Sequence, residues 1–178
     1  MTLLETLYVL FFLGLFALVG TCLYYDHHLK IPPAPTLPWV RRKILQALKT
    51  HLKNDKVFIA ELGSGWGGLS AAISRKFPAA GVQGFELSPF PYWFSKLRES
   101  KKIRFTRADI FDQNLAEYDA IVYYLSPVVA DRLAEKFREE LKPGTLIISN
   151  AFKLPGFEPI EVLETNIGVK IRIYVYKT

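Results

Sequence analysis

Three alternating glycines are the part of this sequence best suited to binding a ligand. Gly63, Gly65 and Gly67 lie within the run Glu61-Leu62-Gly63-Ser64-Gly65-Trp66-Gly67-Gly68. Glycine accepts left-handed backbone angles and lets a bulky ligand approach the main chain closely. A turn of this kind that opens a helix also presents free N–H groups to an anionic part of the ligand. The run therefore predicts a nucleotide-like binding turn.

The spacing of these glycines is compatible with two ligand classes. Gly63, Gly65 and Gly68 fit the G-x-G-x-x-G pattern of dinucleotide-binding proteins. Gly63, Gly65 and Gly67 fit the tighter G-x-G-x-G pattern of enzymes that use S-adenosylmethionine (SAM). A tight turn without any ligand would require fewer glycines.

Three carboxylates follow predicted strands close to the glycine turn. Glu61 ends the first strand, and Glu86 ends the second, about twenty residues beyond the glycines, the spacing typical of a carboxylate that binds ribose hydroxyls. Asp109 follows the third strand. A carboxylate can accept hydrogen bonds from ribose or from an adenine amino group. We expect these three side chains to meet at one edge of a sheet.

The elements that must position these residues alternate between strand and helix from residue 56 onward. Apolar runs predict strands at Val57–Ala60, Val82–Leu87, Ile103–Arg107, Asp119–Tyr124, Thr145–Ser149, Ile160–Glu164 and Val169–Tyr176. The intervening segments predict helices at Leu69–Phe77, from Pro89 to about Ser100, and from Ser126 to the turn at Lys142. The pattern is typical of an α/β fold, with a parallel sheet and an antiparallel pair at its carboxyl-terminal end.

Residues 57–176 resemble the class I SAM-dependent methyltransferase family, with its seven-stranded Rossmann-like sheet and antiparallel last strand. The resemblance rests on the glycine motif, on the acids after strands two and three, and on the turn Leu141-Lys142-Pro143-Gly144. It implies SAM as cofactor. The cofactor-binding residues that it implies are Glu61, Gly63, Ser64, Gly65, Gly67, Glu86, Leu87, Asp109 and Ile110.

A narrower resemblance connects the chain with a group of protein-lysine methyltransferases that has archaeal and mitochondrial members. It rests on Pro35-Thr36, on the Glu-Leu-Gly-Ser-Gly run and on Gly84-Phe85-Glu86-Leu87-Ser88-Pro89. It implies methyl transfer to an amine of a protein substrate. Trp66 departs from the group's pattern, in which an acidic residue is more usual.

The segment after strand four is the predicted acceptor site. Tyr124 and Ser126 are the candidate catalytic residues that line it, with Tyr123 and Phe152 nearby in the predicted fold. Tyr124-Leu125-Ser126-Pro127 stands where base-methylating enzymes carry Asn-Pro-Pro-Tyr, so we expect no nucleic-acid partner.

The amino-terminal segment from Thr6 to Tyr25 contains no charged residue. A helix of about twenty apolar residues matches the roughly 30 Å hydrocarbon thickness of a bilayer. We therefore expect one transmembrane helix, within an anchor over residues 1–26, a proline-rich linker over 27–38 and the methyltransferase domain over 39–178.

Basic residues flank the predicted membrane helix on its carboxyl-terminal side only, among them Lys30, Arg41, Arg42 and Lys43. The positive-inside rule then predicts a single-pass membrane protein whose catalytic domain lies in the cytoplasm, at a bacterial inner membrane. The cluster Arg41-Arg42-Lys43 is read either as a solvated helix surface or as a contact with anionic headgroups.

Composition excludes some other classes of protein. One cysteine among 178 residues excludes a disulfide framework, and the adjacent His27 and His28 lack a third ligand, so we expect no metal. Three functional alternatives stay open from sequence: methylation of a small or lipidic molecule, an NAD-binding oxidoreductase, and a non-enzymatic membrane adaptor.

Overall fold

The computed structural model describes residues 2–29, 35–165, 167–168 and 170–178. Its helices are α1 (Leu3–Leu29), α2 (Pro38–His51), α3 (Gly68–Lys76), α4 (Pro89–Lys96) and α5 (Ala130–Glu140). Its strands are β1 (Phe58–Leu62), β2 (Gly81–Glu86), β3 (Ile103–Arg107), β4 (Ala120–Tyr123), β5 (Leu146–Asn150), β6 (Glu161–Glu164) and β7 (Arg172–Lys177).

The seven strands form one sheet in the order β3-β2-β1-β4-β5-β7-β6. The first five run parallel, and β7 pairs antiparallel with both β5 and β6. This is the predicted Rossmann-like methyltransferase architecture. The strand order reverses between β1 and β4, and ligands of open α/β sheets bind at such a switch point, beyond the carboxyl ends of the strands.

Apolar side chains on the two faces of the sheet pack under different helices. One cluster joins α2 and α3 to β1, β4 and β5, with Ile44, Leu48 and Ile73 buried at its centre. The other joins α5 to the opposite face through Leu133 and Phe137. The central strands are therefore buried on both sides, which explains their nearly continuous apolar runs.

The boundaries of two helices and one strand differ most from the sequence prediction. α4 ends at Lys96 rather than near Ser100. The helix expected to begin at Ser126 starts with a 3-10 turn at Pro127–Val129 and becomes α-helical only from Ala130. The predicted hairpin strand from Val169 begins at Arg172. Side-chain caps and turn residues decide such ends, and these are only weakly encoded in periodicity.

Helix α1 covers most of the predicted membrane segment and continues to Leu29. Its described side chains up to Gly20 are exposed apart from Thr6, which is half-buried. No helix in the part of the chain that the structure describes is long and apolar enough to cross a membrane. The predicted transmembrane helix is therefore not supported. Residues 30–34 of the predicted linker lie outside the described residues.

Candidate active site

The turn between β1 and α3 takes left-handed backbone angles at alternate positions. The φ angles of Gly63, Gly65 and Gly67 are 70°, 52° and 73°. Gly68 lies inside α3 and has no positive φ. The conformational need for glycine thus follows the G-x-G-x-G spacing, which is the register of SAM enzymes.

The three glycines have different surroundings. A Cβ at Gly63 would lie 2.8 Å from Cδ2 of Leu125, and one at Gly67 would lie 2.6 Å from Cζ of Phe105. A Cβ at Gly65 would meet nothing within 4 Å. Gly63 and Gly67 are therefore required by packing, whereas Gly65 leaves open space where a ligand can approach the main chain.

Glu86, the last residue of β2, is fixed by two backbone donors. Its Oε2 accepts a hydrogen bond from Gly65 N at 2.8 Å, and its Oε1 accepts one from Ser88 N at 2.7 Å. The residue is 7% exposed. A carboxylate offers about four acceptor positions, so those left over can receive the two hydroxyls of a ribose.

Glu61 lies next to the same turn, buried in β1. Its Oε2 accepts a hydrogen bond from Ser70 Oγ at 2.5 Å. Burial raises the pKa of Glu61 to about 7, and the nearby Glu86 acts in the same direction, whereas Ser70 and Arg41 oppose them. A positively charged ligand group beside this carboxyl would favour its ionised form.

Asp109 follows β3 and begins a 3-10 turn at Ile110–Asp112. Its Oδ1 accepts a hydrogen bond from Phe111 N at 3.0 Å. The other oxygen leaves acceptor capacity for an amino group of a base. Ile110 is 9% exposed and provides an apolar wall beside it.

A cavity of about 460 Å³ joins these groups along the carboxyl ends of the parallel strands. Among the residues predicted for cofactor binding, those that line it are Glu61, Gly63, Ser64, Gly65, Glu86, Leu87, Asp109 and Ile110. Both predicted acceptor-site residues, Tyr124 and Ser126, line it as well. Gly67 does not line the cavity, because its contact is with Phe105 on the far side of the turn.

Arg41 and Ser64 add two polar groups that lack described partners to this part of the cavity. In the described part of the chain, Ser64 Oγ and Arg41 Nε are buried without a hydrogen-bond partner, and both residues line the cavity. Arg41 reaches it from α2, and one of its terminal nitrogens donates to Thr36 O at 3.2 Å. A guanidinium and a hydroxyl fit a carboxylate such as that of an amino-acid moiety.

Sequence reasoning missed the place of Arg41. It grouped Arg41 with Arg42 and Lys43 as a surface or headgroup-binding cluster. The spacing of apolar residues in α2 indicates that Arg41 lies near the buried side of the helix. Arg41 follows the buried Val40 and lies one turn before Ile44, which also lines the cavity.

At the end of β4 the lining of the cavity is aromatic and includes Tyr123 and Tyr124. The rings of Tyr124 and Phe152 are stacked, with centroids 6.3 Å apart and an angle of 5° between their planes. Ser126 is 6% exposed, and its Oγ accepts a hydrogen bond from Val128 N at 3.3 Å, so it caps the 3-10 turn. Trp66 packs edge-on against Phe94 of α4 and also lines the cavity.

The sequence profile of the ANTKMT methyltransferase domain family matches residues 61–161, which include the glycine turn, Glu86, Asp109 and the aromatic end of the cavity. The chain belongs to this methyltransferase family. The methyltransferase uses SAM as its methyl donor, and the family assignment decides against the dinucleotide register and the oxidoreductase alternative.

Two curated relatives and a solved structure are similar to the methyltransferase. A protein-lysine N-methyltransferase of Saccharolobus islandicus is 25% identical over 157 residues, which cover 82% of this chain and 92% of the relative. The adenine nucleotide translocase lysine N-methyltransferase of Mus musculus is 26% identical over 110 residues, which cover 59% of this chain and 48% of the mouse protein. An RNA methyltransferase from Salinibacter ruber, solved with S-adenosylhomocysteine, has a TM-score of 0.72 at 21% identity, covering 81% of this chain and 93% of that one. This last likeness shows the fold alone.

The residues present in the cavity fit the cofactor. The glycine turn leaves room at Gly65, and Glu86 has free acceptor positions for a sugar. Ser64 Oγ and Arg41 Nε, which have no partner among the described residues, match a carboxylate. Glu61 supplies a carboxyl for an ammonium group. The cofactor supplies an activated methyl group when bound, so the chain itself need not generate a strong nucleophile.

Proposed function

We propose that this methyltransferase transfers the methyl group of SAM to the side-chain amine of a lysine in a protein. The observation that carries the proposal is the aromatic end of the cavity, which Tyr124 lines with its ring stacked on that of Phe152. The names of the two curated relatives point to the same acceptor.

The enzyme must hold the substrate amine in its neutral form and in line with the methyl group. A lysine side chain that leaves water for an apolar channel has a lowered pKa, which favours loss of its proton. The ring of Tyr124, which Phe152 holds by stacking, then stabilises the positive charge that spreads over methyl and nitrogen during transfer. Alignment and exclusion of water provide most of the remaining rate enhancement.

The transfer conserves charge without an added reagent. The amine lone pair forms the new N–C bond while the C–S bond breaks, and its electron pair stays on sulfur. The product amine is then positively charged and loses a proton to water, which leaves a methylated lysine and S-adenosylhomocysteine.

The acceptor is tested by incubating the full-length protein with methyl-tritiated SAM and proteins extracted from membranes. We expect label in methyllysine after acid hydrolysis. A matched reaction with Glu86→Gln should give little label, because that variant loses the ribose contact, whereas Gln83→Ala on the same strand should react normally. Label confined to the lipid extract would favour the lipidic acceptor, and no label in either fraction would contradict the proposal.

We also propose that α1 holds the enzyme at a membrane, with the catalytic domain on the cytoplasmic side. Two features support this: the uncharged stretch from Thr6 to Tyr25, and the exposed rings of Phe11, Phe12 and Phe16. An exposed apolar helix of this kind gains free energy by entering lipid.

Vesicle flotation tests the membrane proposal. The full-length protein should float with phospholipid vesicles, and a double variant with Phe12→Glu and Phe16→Glu should not. Ile160→Glu, a change at an exposed apolar residue outside α1, is the control and should float. Equal flotation of all three proteins would contradict a role for α1.

A further inference from the structure

We propose that the side-chain oxygen of Asn150 accepts a hydrogen bond from the substrate amine and orients its lone pair toward the methyl group. This inference rests on the proposed amine acceptor. It assigns a substrate contact to a residue that the sequence analysis did not single out.

The first observation is a buried acceptor without a partner. Asn150 is 4% exposed and lines the cavity, and no hydrogen bond reaches its Oδ1 from any residue that the structure describes. A buried amide oxygen left without a donor is costly, so such groups are rare outside functional sites. A substrate N–H entering the cavity would satisfy it.

The second observation is the place of Asn150 in the sheet. It is the last residue of β5, and its register partner on β7 is Ile173. Leu146 and Ile148 of the same strand pack under α2, so alternation puts Asn150 on that face too. Glu61 of β1 and Ile59 share this face by the same argument.

Asn150 and Glu61 lie on the same face of the sheet but on strands that are not neighbours. β4 lies between β1 and β5, so Glu61 and Asn150 are two strand spacings apart across the sheet, about 10 Å in that direction. The register pairs Glu61 with Val122 and Val122 with Ile148, which places Asn150 two residues farther along. The pairing of Tyr123 with Ser149 then puts Asn150 beside Tyr124, a predicted acceptor-site residue that also lines the cavity.

The third observation is that the segment after Asn150 is held in a fixed shape. Ala151 has a φ of 76°, the only positive φ of a non-glycine residue in the described part of the chain. Its N–H donates to Arg172 O at 2.8 Å, and Ser149 Oγ donates to Phe152 O at 2.5 Å. This backbone places the Phe152 ring against Tyr124 and keeps Asn150 at the strand end.

An uncharged acceptor is the group that this reaction needs. A carboxylate at this position would hold the amine as an ammonium, whose lone pair is blocked by a proton. An amide oxygen can accept one amine N–H and leave the lone pair free. As the nitrogen becomes positively charged, the same hydrogen bond strengthens, so it stabilises the transition state more than the bound substrate.

The test compares Asn150→Ala and Asn150→Asp with the wild-type protein in the methyllysine assay, with S-adenosylhomocysteine affinity measured by calorimetry. Asn114→Ala is the matched control, since Asn114 is exposed and its side chain only accepts a hydrogen bond from Ala116 N. For Asn150→Ala we expect transfer to fall about 10- to 100-fold, with cofactor affinity within about twofold of wild type.

The pH dependence of Asn150→Asp distinguishes a substrate contact from a purely structural role. Its carboxylate should stabilise the ammonium form of the substrate, so the pH of half-maximal transfer should rise by about one unit or more. Because aspartate has nearly the same shape as asparagine, this variant tests the inference by itself if Asn150→Ala fails to fold.

Three results would overturn the inference while leaving the proposed function intact: wild-type rates in Asn150→Ala, a loss of cofactor affinity equal to the loss of rate, or an unchanged pH midpoint in Asn150→Asp. A wild-type enzyme that binds S-adenosylhomocysteine but labels no lysine would instead reject the proposed function, and this inference with it.

Discussion

Arg41 differs from the two basic residues that follow it in where its side chain ends. Arg42 is exposed, whereas the Nε of Arg41 is buried at the cavity and has no partner among the residues that the structure describes. A carboxylate from the methionine part of the cofactor would complete its hydrogen bonds and those of Ser64. The positive end of the site is thus supplied by α2, which precedes the glycine motif in the chain.

We expect Arg41→Ala to weaken S-adenosylhomocysteine binding about 10- to 100-fold, because a charge-assisted hydrogen bond is lost. Calorimetry at constant pH measures this change. Arg42→Ala, one residue farther along the same helix, should leave the affinity unaltered, and an equal loss in both variants would point to a general effect of helix charge.

Glu61 makes the cofactor-free protein sensitive to pH. Its pKa is about 7 in the folded state and 4.5 in the reference state, so between these values the folded state binds more protons than the unfolded state. The free energy of unfolding therefore falls as pH rises through this window, by roughly 3 kcal/mol for this group.

Replacing Glu61 with Gln should remove that pH dependence. The variant should unfold at a higher temperature than wild type at pH 8, and the two should converge below pH 5. Thermal unfolding across this pH range measures the difference. The same variant should bind S-adenosylhomocysteine more weakly at pH 8, because it lacks the charge that faces the cofactor's ammonium; an unchanged affinity would contradict this role.

At the scale of the element, different glycines in the turn between β1 and α3 serve packing and ligand binding. Gly67 approaches Phe105 of β3, whereas Gly65 faces open space and donates its N–H to Glu86. One short segment therefore both seats α3 on the sheet and forms the floor of the cofactor site.

Two alanine substitutions separate these roles. Gly67→Ala should lower the free energy of unfolding by about 2–5 kcal/mol, from left-handed strain and a clash with Phe105. Gly65→Ala should cost only about 1–2 kcal/mol from strain, yet reduce cofactor affinity more strongly. Denaturant unfolding and calorimetry on both variants test this; similar stability losses would contradict the division.

The elements themselves could be predicted from the sequence because their signals are local. β3 has the predicted bounds, Ile103–Arg107, because its apolar Ile103 and Phe105 alternate with polar residues. The end of α4 was placed too late, because Leu97 continues the apolar pattern although the chain leaves the helix there.

The residues of the candidate site also differ in whether a local sequence signal identifies them. Glu86 and Asp109 were predictable, since each follows a strand at a motif position. Arg41 and Asn150 were not, because they are distant from the motif in sequence and meet it only after the sheet and α2 have packed. The roles of the predicted site residues, and the division of the chain into three segments, stay predictions.

At the scale of the whole molecule, a cavity built from the ends of five strands couples ligand binding to folding. The site residues come from β1, β2, β4, β5 and the segment after β3, so no part of it forms before the sheet does. A ligand that binds only this assembled state must stabilise the entire domain.

We therefore expect S-adenosylhomocysteine at a hundred times its Kd to stabilise the protein by about 2.7 kcal/mol. For a chain of this size that raises Tm by about 5–10 °C. NAD at the same concentration should give no shift, and a shift with NAD alone would contradict the SAM assignment. Differential scanning fluorimetry is sufficient for the comparison.

The hydrogen bond from Gly65 N to Glu86 has a consequence for how the enzyme recognises fragments of its ligand. The carboxylate that we expect to bind the sugar also accepts the N–H of Gly65 and so fixes the loop that we expect to face the amino-acid part of the cofactor. The binding free energies of adenosine and methionine should therefore be non-additive. Each molecule should bind more tightly when the other is present than when it is absent. Inhibitors that occupy only one half of the cleft would forfeit this cooperativity, whereas molecules bridging both halves would gain it.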